Sequence, residues 1–283
     1  MIAITGATGQ LGRKVIQQLL KTLPASELIA LVRDPAGAAE KLPAGMTLRE
    51  ADYNRPETLL PALLGAEKLL LISSSEVGKR DAQHAAVIDA AIQARIKFIA
   101  YTSLLHADTS PLGLATEHRA TEARLAKSGI GYALLRNGWY SENYAASIGP
   151  ALTHHAFIGA AGEGNIASAS RQDYAEAAAK VMTTDHQAGK VYELAGDDAY
   201  TLQQFSDEIA RQSGEKVEYI NLSQQEFAGA LKQAGLPDGL AEMLANSDAG
   251  AAQGGLFDDS KTLSQLIGRA TTPFSQTIAD SLK

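Results

Sequence analysis

Two kinds of hydrophobic pattern alternate along the first half of the chain. Continuous apolar runs occupy Ile2–Thr5, Leu28–Val32, Lys68–Ser73, Lys97–Thr102 and Tyr132–Arg136. Between them lie stretches whose apolar residues recur every three or four positions. In Gln10–Leu23 these are Leu11, Val15, Ile16, Leu19 and Leu20, and Leu59–Leu64, Asp81–Arg95 and Thr116–Ser128 follow the same spacing. The first kind reads as strands buried on both faces, because polar residues do not alternate within them; the second reads as helices. Pro24 and Gly129 stop two of the helices. Doubly buried strands separated by helices predict a parallel sheet covered on both sides.

After Asn137 the pattern changes. Glycine and small polar residues crowd Ile158–Ser170. Helical spacing returns over Asp173–Thr183, Leu202–Ser213 and Gln224–Ala234, with a strand at Lys190–Leu194, and the small-residue stretch Asn246–Asp259 is expected to be a long loop. The fold class that follows is α/β: a Rossmann doubly wound sheet over residues 1–137 and a smaller, mostly helical lobe over 138–283, with some segments returning to the sheet.

The first strand-to-helix junction carries chemistry. "TGATGQLG" places Gly6, Gly9 and Gly12 three apart. In this context Gly6 permits the tight turn, Gly9 lets backbone amides approach a pyrophosphate, and Gly12 lets the helix pack closely. The helix start near Gln10 adds unpaired amides and a partial positive charge. The second strand ends in Arg33, 21 positions after Gly12, where chains that bind NAD usually carry an acidic residue. A guanidinium suits the 2′-phosphate of NADPH. Asp34 follows it and can bond a ribose instead, so NADH stays open.

Composition narrows the function classes. The formal net charge of −7 argues against nucleic acid or an anionic membrane as the main partner, and the absence of cysteine excludes disulfides, thiolate catalysis and iron–sulfur ligation. No basic leader or cleavage signal opens the sequence, and no apolar run reaches the roughly 20 residues of a membrane span, so a cytoplasmic protein without membrane insertion is expected. The six histidines (His84, His106, His118, His154, His155 and His186) form no metal-binding spacing, and no metal is expected.

One absence matters more than these. Classical short-chain dehydrogenases place Lys four residues after the proton-donating Tyr, and none of the nine tyrosines has Lys there; Tyr140 has Tyr144. Ligands of an open parallel sheet gather at the carboxyl ends of its strands. Those ends offer Ser73, Ser74 and Ser75, then Ser103 and His106, then Asn137, Gly138, Trp139, Tyr140, Ser141 and Glu142. Trp139, Tyr140 and Tyr144 can wall a pocket for a flat ring, and His118, near the start of its helix, can donate to a developing oxyanion or relay a proton.

The stretches "MIAITGATGQLG", "LVRDP", "KLLLISSSEVGKR", "KFIAYTSLLHADTSPLG" and "LLRNGWYSENY" resemble type 2 NAD(P)H:quinone oxidoreductases of enteric bacteria, within the NmrA-like, atypical short-chain dehydrogenase/reductase group. "FIGAAGEGNIASASRQDYA", "KVYELAGD", "GLPDGLA" and "GGLFDDSKTLSQLIG" extend the likeness over nearly the whole chain. The resemblance implies NADPH-dependent quinone reduction. It implies cofactor contacts from Gly6, Ala7, Thr8, Gly9, Gln10, Leu11, Arg33, Ser73–Ser75, Asn137–Glu142 and Arg171. Relatives that reduce lignan-type substrates carry a catalytic Lys at the place held here by His118.

A quinone is electrophilic enough to accept hydride without a strong general acid, so a site lacking the Tyr–Lys pair suffices. Tyr140, Asn143 and Tyr144 are the candidates for shaping that site, with His118 as a candidate donor. Two alternatives fit the same motifs: an NmrA-like regulator that senses NAD(P) without catalysis, and a reductase of another conjugated acceptor such as a dye or an imine. Oligomeric state and the physiological quinone are not encoded legibly.

Overall fold

The computed structural model describes all 283 residues. The chain runs β1 (Ile2–Ile4), α1 (Gln10–Leu19), β2 (Leu28–Val32), α2 (Pro35–Ala39), β3 (Thr47–Glu50), α3 (Leu59–Leu63), β4 (Lys68–Leu71), α4 (Arg80–Gln93), β5 (Phe98–Leu104), α5 (Ala115–Lys127) and β6 (Gly131–Asn137). It continues through α6 (Ser141–Ala145), α7 (Ile148–His154), β7 (Ala156–Gly159), α8 (Arg171–Thr183), β8 (Val191–Leu194), α9 (Leu202–Ser213), β9 (Glu218–Asn221), α10 (Gln224–Gln233), α11 (Asp238–Ala251), α12 (Thr262–Ile267) and α13 (Phe274–Ser281). No helix is long and apolar enough to cross a membrane.

Seven strands form one sheet in the order β3-β2-β1-β4-β5-β6-β8, and β7 pairs with β9 apart from it. The pairs β1–β2, β1–β4, β2–β3 and β4–β5 are parallel. Strand order reverses between β1 and β4. An open α/β sheet binds its ligands at such a switch point, and the glycine loop leaves β1 there.

The chain divides into two compact units. The first comprises residues 1–104, 116–136 and 174–192. Its core joins Ala3, Ile29, Leu31, Leu69, Leu71 and Ile99 from the strands with Leu59, Leu63, Val87, Ile88 and Leu125 from the helices. Each fully buried Leu or Ile contributes roughly 1.5–3 kcal/mol, which is why these strands read as unbroken apolar runs. The second comprises residues 105–115, 137–173 and 193–283. Its centre is aromatic: Tyr144, Phe157 and Tyr200 pack on Phe205, and Phe274 packs on Tyr200 and Phe205.

Four elements differ from the sequence reading. β3 was not marked by any apolar run, because its residues are only half buried or exposed. β7 and β9 also went unread, being short and partly exposed. The expected loop Asn246–Asp259 begins as the last turns of α11. Its small residues are there for close packing: a Cβ on Gly250 would lie 2.7 Å from a Leu112 methyl.

Candidate functional site

In the first unit the ligand-facing edge starts at Thr5. Its hydroxyl oxygen accepts from the Ile72 amide at 2.9 Å, which binds the end of β1 to the end of β4. Gly6 then turns with φ +58°, a left-handed conformation that glycine adopts without strain. Gly9 caps α1 with no side-chain hydrogen bond, so the first-turn amides have no side-chain partner. Gly12 is set by backbone contact. A Cβ there would lie 2.2 Å from the Gly6 carbonyl oxygen and 2.9 Å from the Ala7 Cα. The helix can approach its own loop this closely only with glycine at that position. Gly6, Gly9 and Gln10 are exposed, Thr8 half-buried, and Ala7 and Leu11 buried.

The two residues after β2 divide their work. Asp34 caps α2, its carboxylate accepting from the Ala36 amide at 3.1 Å. Arg33 is exposed and its guanidinium makes no hydrogen bond or ion pair within the protein. The acidic residue that competes for a ribose is thus engaged in a helix cap, and the basic one is available.

The serine loop after β4 is held by hydrogen bonds along its backbone. The Ser73 amide donates to Thr102 Oγ1 at 2.8 Å and the Ser74 amide to His84 Nε2 at 3.0 Å. The Ser74 hydroxyl accepts from the Glu76 amide. Of the three serine hydroxyls, those of Ser73 and Ser75 make no hydrogen bond within the protein, whereas that of Ser74 does. His118, by contrast, is buried at 5% exposure, with Nδ1 2.7 Å from the Tyr101 hydroxyl. Burial first, then the charge of Arg80, pushes its imidazole down to about 3, so it is neutral. A neutral ring donates a hydrogen bond but does not act as an imidazolium acid.

In the second unit the segment after β6 converges on Arg171. The guanidinium lies 4.5 Å from the centroid of the Tyr140 ring and donates to Asn143 Oδ1 at 2.8 Å. It also faces Glu142 at 3.5 Å, while the Arg171 amide donates to both oxygens of that carboxylate. Four residues singled out in the sequence are therefore one cluster. Asn137 is buried, and its Oδ1 accepts no hydrogen bond.

The remaining members of the segment face inward. The Gly138 amide donates to the Leu194 carbonyl, and Trp139 is buried. The Ser141 amide donates to the Ala169 carbonyl, and its hydroxyl joins Ser168 and Tyr200 in a buried chain. Tyr144 differs from its expected place on a pocket wall. Its ring packs on Phe205 and its hydroxyl donates to Asp248 Oδ1 at 2.9 Å. Burial pushes that hydroxyl up, and burial also raises Asp248 to about 6.

Sequence reasoning missed His84, Glu117 and Thr102, which hold the serine loop. A signal for His84 existed: it lies one turn before Val87 and Ile88, on the buried stripe of an alanine-rich helix.

A family model described as NAD(P)H-binding matches residues 6–185. The chain belongs to this family. It is 63% identical over 279 residues to Quinone oxidoreductase 2 of Escherichia coli strain K12, covering 99% of this chain and 98% of that one. An NADPH-dependent quinone oxidoreductase of Escherichia coli, solved with NADPH, superposes with a TM-score of 0.97 at 62% identity, covering 100% of both chains. A Citrobacter triphenylmethane reductase solved with NADP(H) gives a TM-score of 0.94 at 36% identity, over 99% of this chain and 100% of that one. The resemblance read from the motifs holds across both halves of the sequence.

Proposed function

We infer that the protein is an NADPH-dependent quinone oxidoreductase. The observation that carries this is the 63% identity to a quinone oxidoreductase over nearly the full length, together with a fold that matches an NADPH complex. The substrate is a small-molecule quinone.

The residues present suit a reduced pyridine dinucleotide. The amides at the start of α1 and the Gly6–Leu11 turn would hold its pyrophosphate. Arg33, unpaired and exposed, would hold the 2′-phosphate, and the free hydroxyls of Ser73 and Ser75 would bond the sugar next to it. In the second unit Asn137 Oδ1 is a buried acceptor without a donor, the kind of atom that suits an incoming N–H group. When bound, the nicotinamide supplies hydride.

The protein's own work is then orientation and charge. Arg171 holds the Tyr140 ring by its face and fixes the Asn143 amide, so both are preset for a flat substrate. The Arg171 guanidinium, whose charge Glu142 balances in part, and the Asn143 amide are N–H donors that favour negative charge on a nearby quinone oxygen. No strong acid is needed, because the hydroquinone anion is a weak base and takes its proton from water. His118 stays neutral and Tyr144 is committed to Asp248, so neither is assigned the proton.

An acceptor panel tests this reading. NADPH is incubated with protein and a simple benzoquinone, a naphthoquinone, a triphenylmethane dye or an imine. The expected result is fastest protein-dependent NADPH oxidation with the quinones. Tight NADPH binding with no turnover of any acceptor would instead mark a cofactor-sensing regulator.

A further inference from the structure

Ser73 and Ser75 have free hydroxyls, but Ser74 between them is fixed at its amide, hydroxyl and carbonyl. Its carbonyl accepts from Arg80 Nε, and its amide points at His84 Nε2. His84 is completely buried on α4, with its ring edge-on to Tyr53 and Tyr101 at centroid distances of 6.3 and 5.5 Å.

The direction of each hydrogen bond follows from chemistry. A backbone amide only donates, so His84 Nε2 carries no proton. The neutral ring therefore has its proton on Nδ1, 2.9 Å from Thr121 Oγ1. Thr121 accepts it and donates its own proton to the Glu117 carbonyl at 3.0 Å. The carboxylate of the same Glu117 accepts from the amides of Gly78 and Arg80 at 3.0 and 3.1 Å. One ordered chain thus runs from the serine loop through α4 to α5, and α5 also grips the far end of that loop. Burial, and secondarily the charge of Arg80, pushes His84 down to about 3, so Nε2 stays an acceptor at any working pH.

We propose that His84, held in the Nδ1–H tautomer, is a positioning residue that fixes the Ser74 amide and thereby presents the Ser73 and Ser75 hydroxyls to NADPH. The inference rests on the assignment of those two hydroxyls to the cofactor. The Nδ1–H tautomer is the minor one of a histidine side chain in water, so the fold selects it.

Two variants separate positioning from general stability. Asn at this position reaches the place of Nδ1, and Gln reaches the place of Nε2. His84→Asn keeps the Thr121 link and frees the Ser74 amide; His84→Gln keeps the Ser74 link and loses the other. Both leave one buried partner unmet, so similar losses of melting temperature are expected. His84→Asn should weaken NADPH binding about tenfold and speed hydrogen exchange at residues 74–78 in the cofactor-free protein, while His84→Gln stays within about threefold of wild type. Nitrogen NMR of the wild type should show Nδ1 protonated and Nε2 bare. Equal effects of both variants on NADPH, or the reverse tautomer, would overturn the proposal. Ser73→Ala and Ser75→Ala serve as the control on the underlying assignment. If neither weakens NADPH, the cofactor role of the loop falls, and His84 loses its proposed function, even where exchange still reports the His84–Ser74 link.

Discussion

Arg171 stacks its guanidinium 4.5 Å from the centre of the Tyr140 ring. The two residues belong to segments far apart in sequence, yet the same guanidinium also bonds Asn143 and faces Glu142. A planar fork on an aromatic face with a fixed hydrogen bond is geometry that lysine does not reproduce.

Arg171→Ala is expected to lower quinone turnover about tenfold or more, from the loss of a charge-assisted bond and a cation–π contact. Arg171→Lys should recover little of it. Steady-state kinetics with NADPH and a benzoquinone check both variants, and full rescue by lysine would show that charge alone matters.

Two glycines of the loop should fail in different ways. At Gly12 an added Cβ meets backbone at 2.2 Å, so Gly12→Ala should lose about 1–3 kcal/mol of stability or more, read by denaturant unfolding. At Gly9 the nearest atom is the Gly6 oxygen at 3.1 Å, a contact that small shifts relieve. Gly9→Ala should therefore unfold near the wild-type midpoint but bind NADPH more weakly, because a methyl group now stands where the pyrophosphate approaches. Calorimetric titration measures the second effect.

Asp248 gives a pH dependence of stability with a definite sign. Burial raises its carboxyl to about 6, above the ordinary value it has in the unfolded chain. The stabilising contribution is complete below about pH 4 and is lost as pH rises through 6, at a cost approaching about 3 kcal/mol when the group is ionised. Asp248→Asn removes the ionisation. The difference in melting temperature, variant minus wild type, should grow from pH 4 to pH 7.5 and level off there; a flat difference would contradict this.

His84 and His118 act in the opposite sense. Burial holds both near 3, so their contribution is present above the unfolded value of about 6.5 and is lost as pH falls toward 3. His118→Phe should flatten the acid limb of the stability profile, as measured by urea unfolding between pH 7 and pH 4.

Much of the sheet was legible because β1, β2, β4, β5 and β6 are buried on both faces and leave unbroken apolar runs. β3 was not, since its Thr47–Glu50 segment is half exposed. Gly250 and its neighbours in α11 looked like a loop because close helix packing and flexible turns favour the same small residues. The glycine loop and Arg33 could be read from spacing. Asp34 followed by Pro35 is also a helix-start signal, and it explains why that carboxylate is engaged. Arg171 was legible only through resemblance, since no local pattern reports contacts between residues 28 or more positions apart. The inward turn of Ser141 and Tyr144 was hidden because α6 is only five residues long and shows no clear periodicity.

The central claim is that Arg33 selects NADPH for quinone reduction. It is tested most directly by kcat/KM for NADPH and for NADH, with a simple benzoquinone, in the wild type and Arg33→Ala. Wild-type protein should oxidise NADPH in preference to NADH. The variant should lose about 10- to 100-fold with NADPH and little with NADH. Absence of protein-dependent NADPH oxidation, or an equal loss with both cofactors, would contradict it.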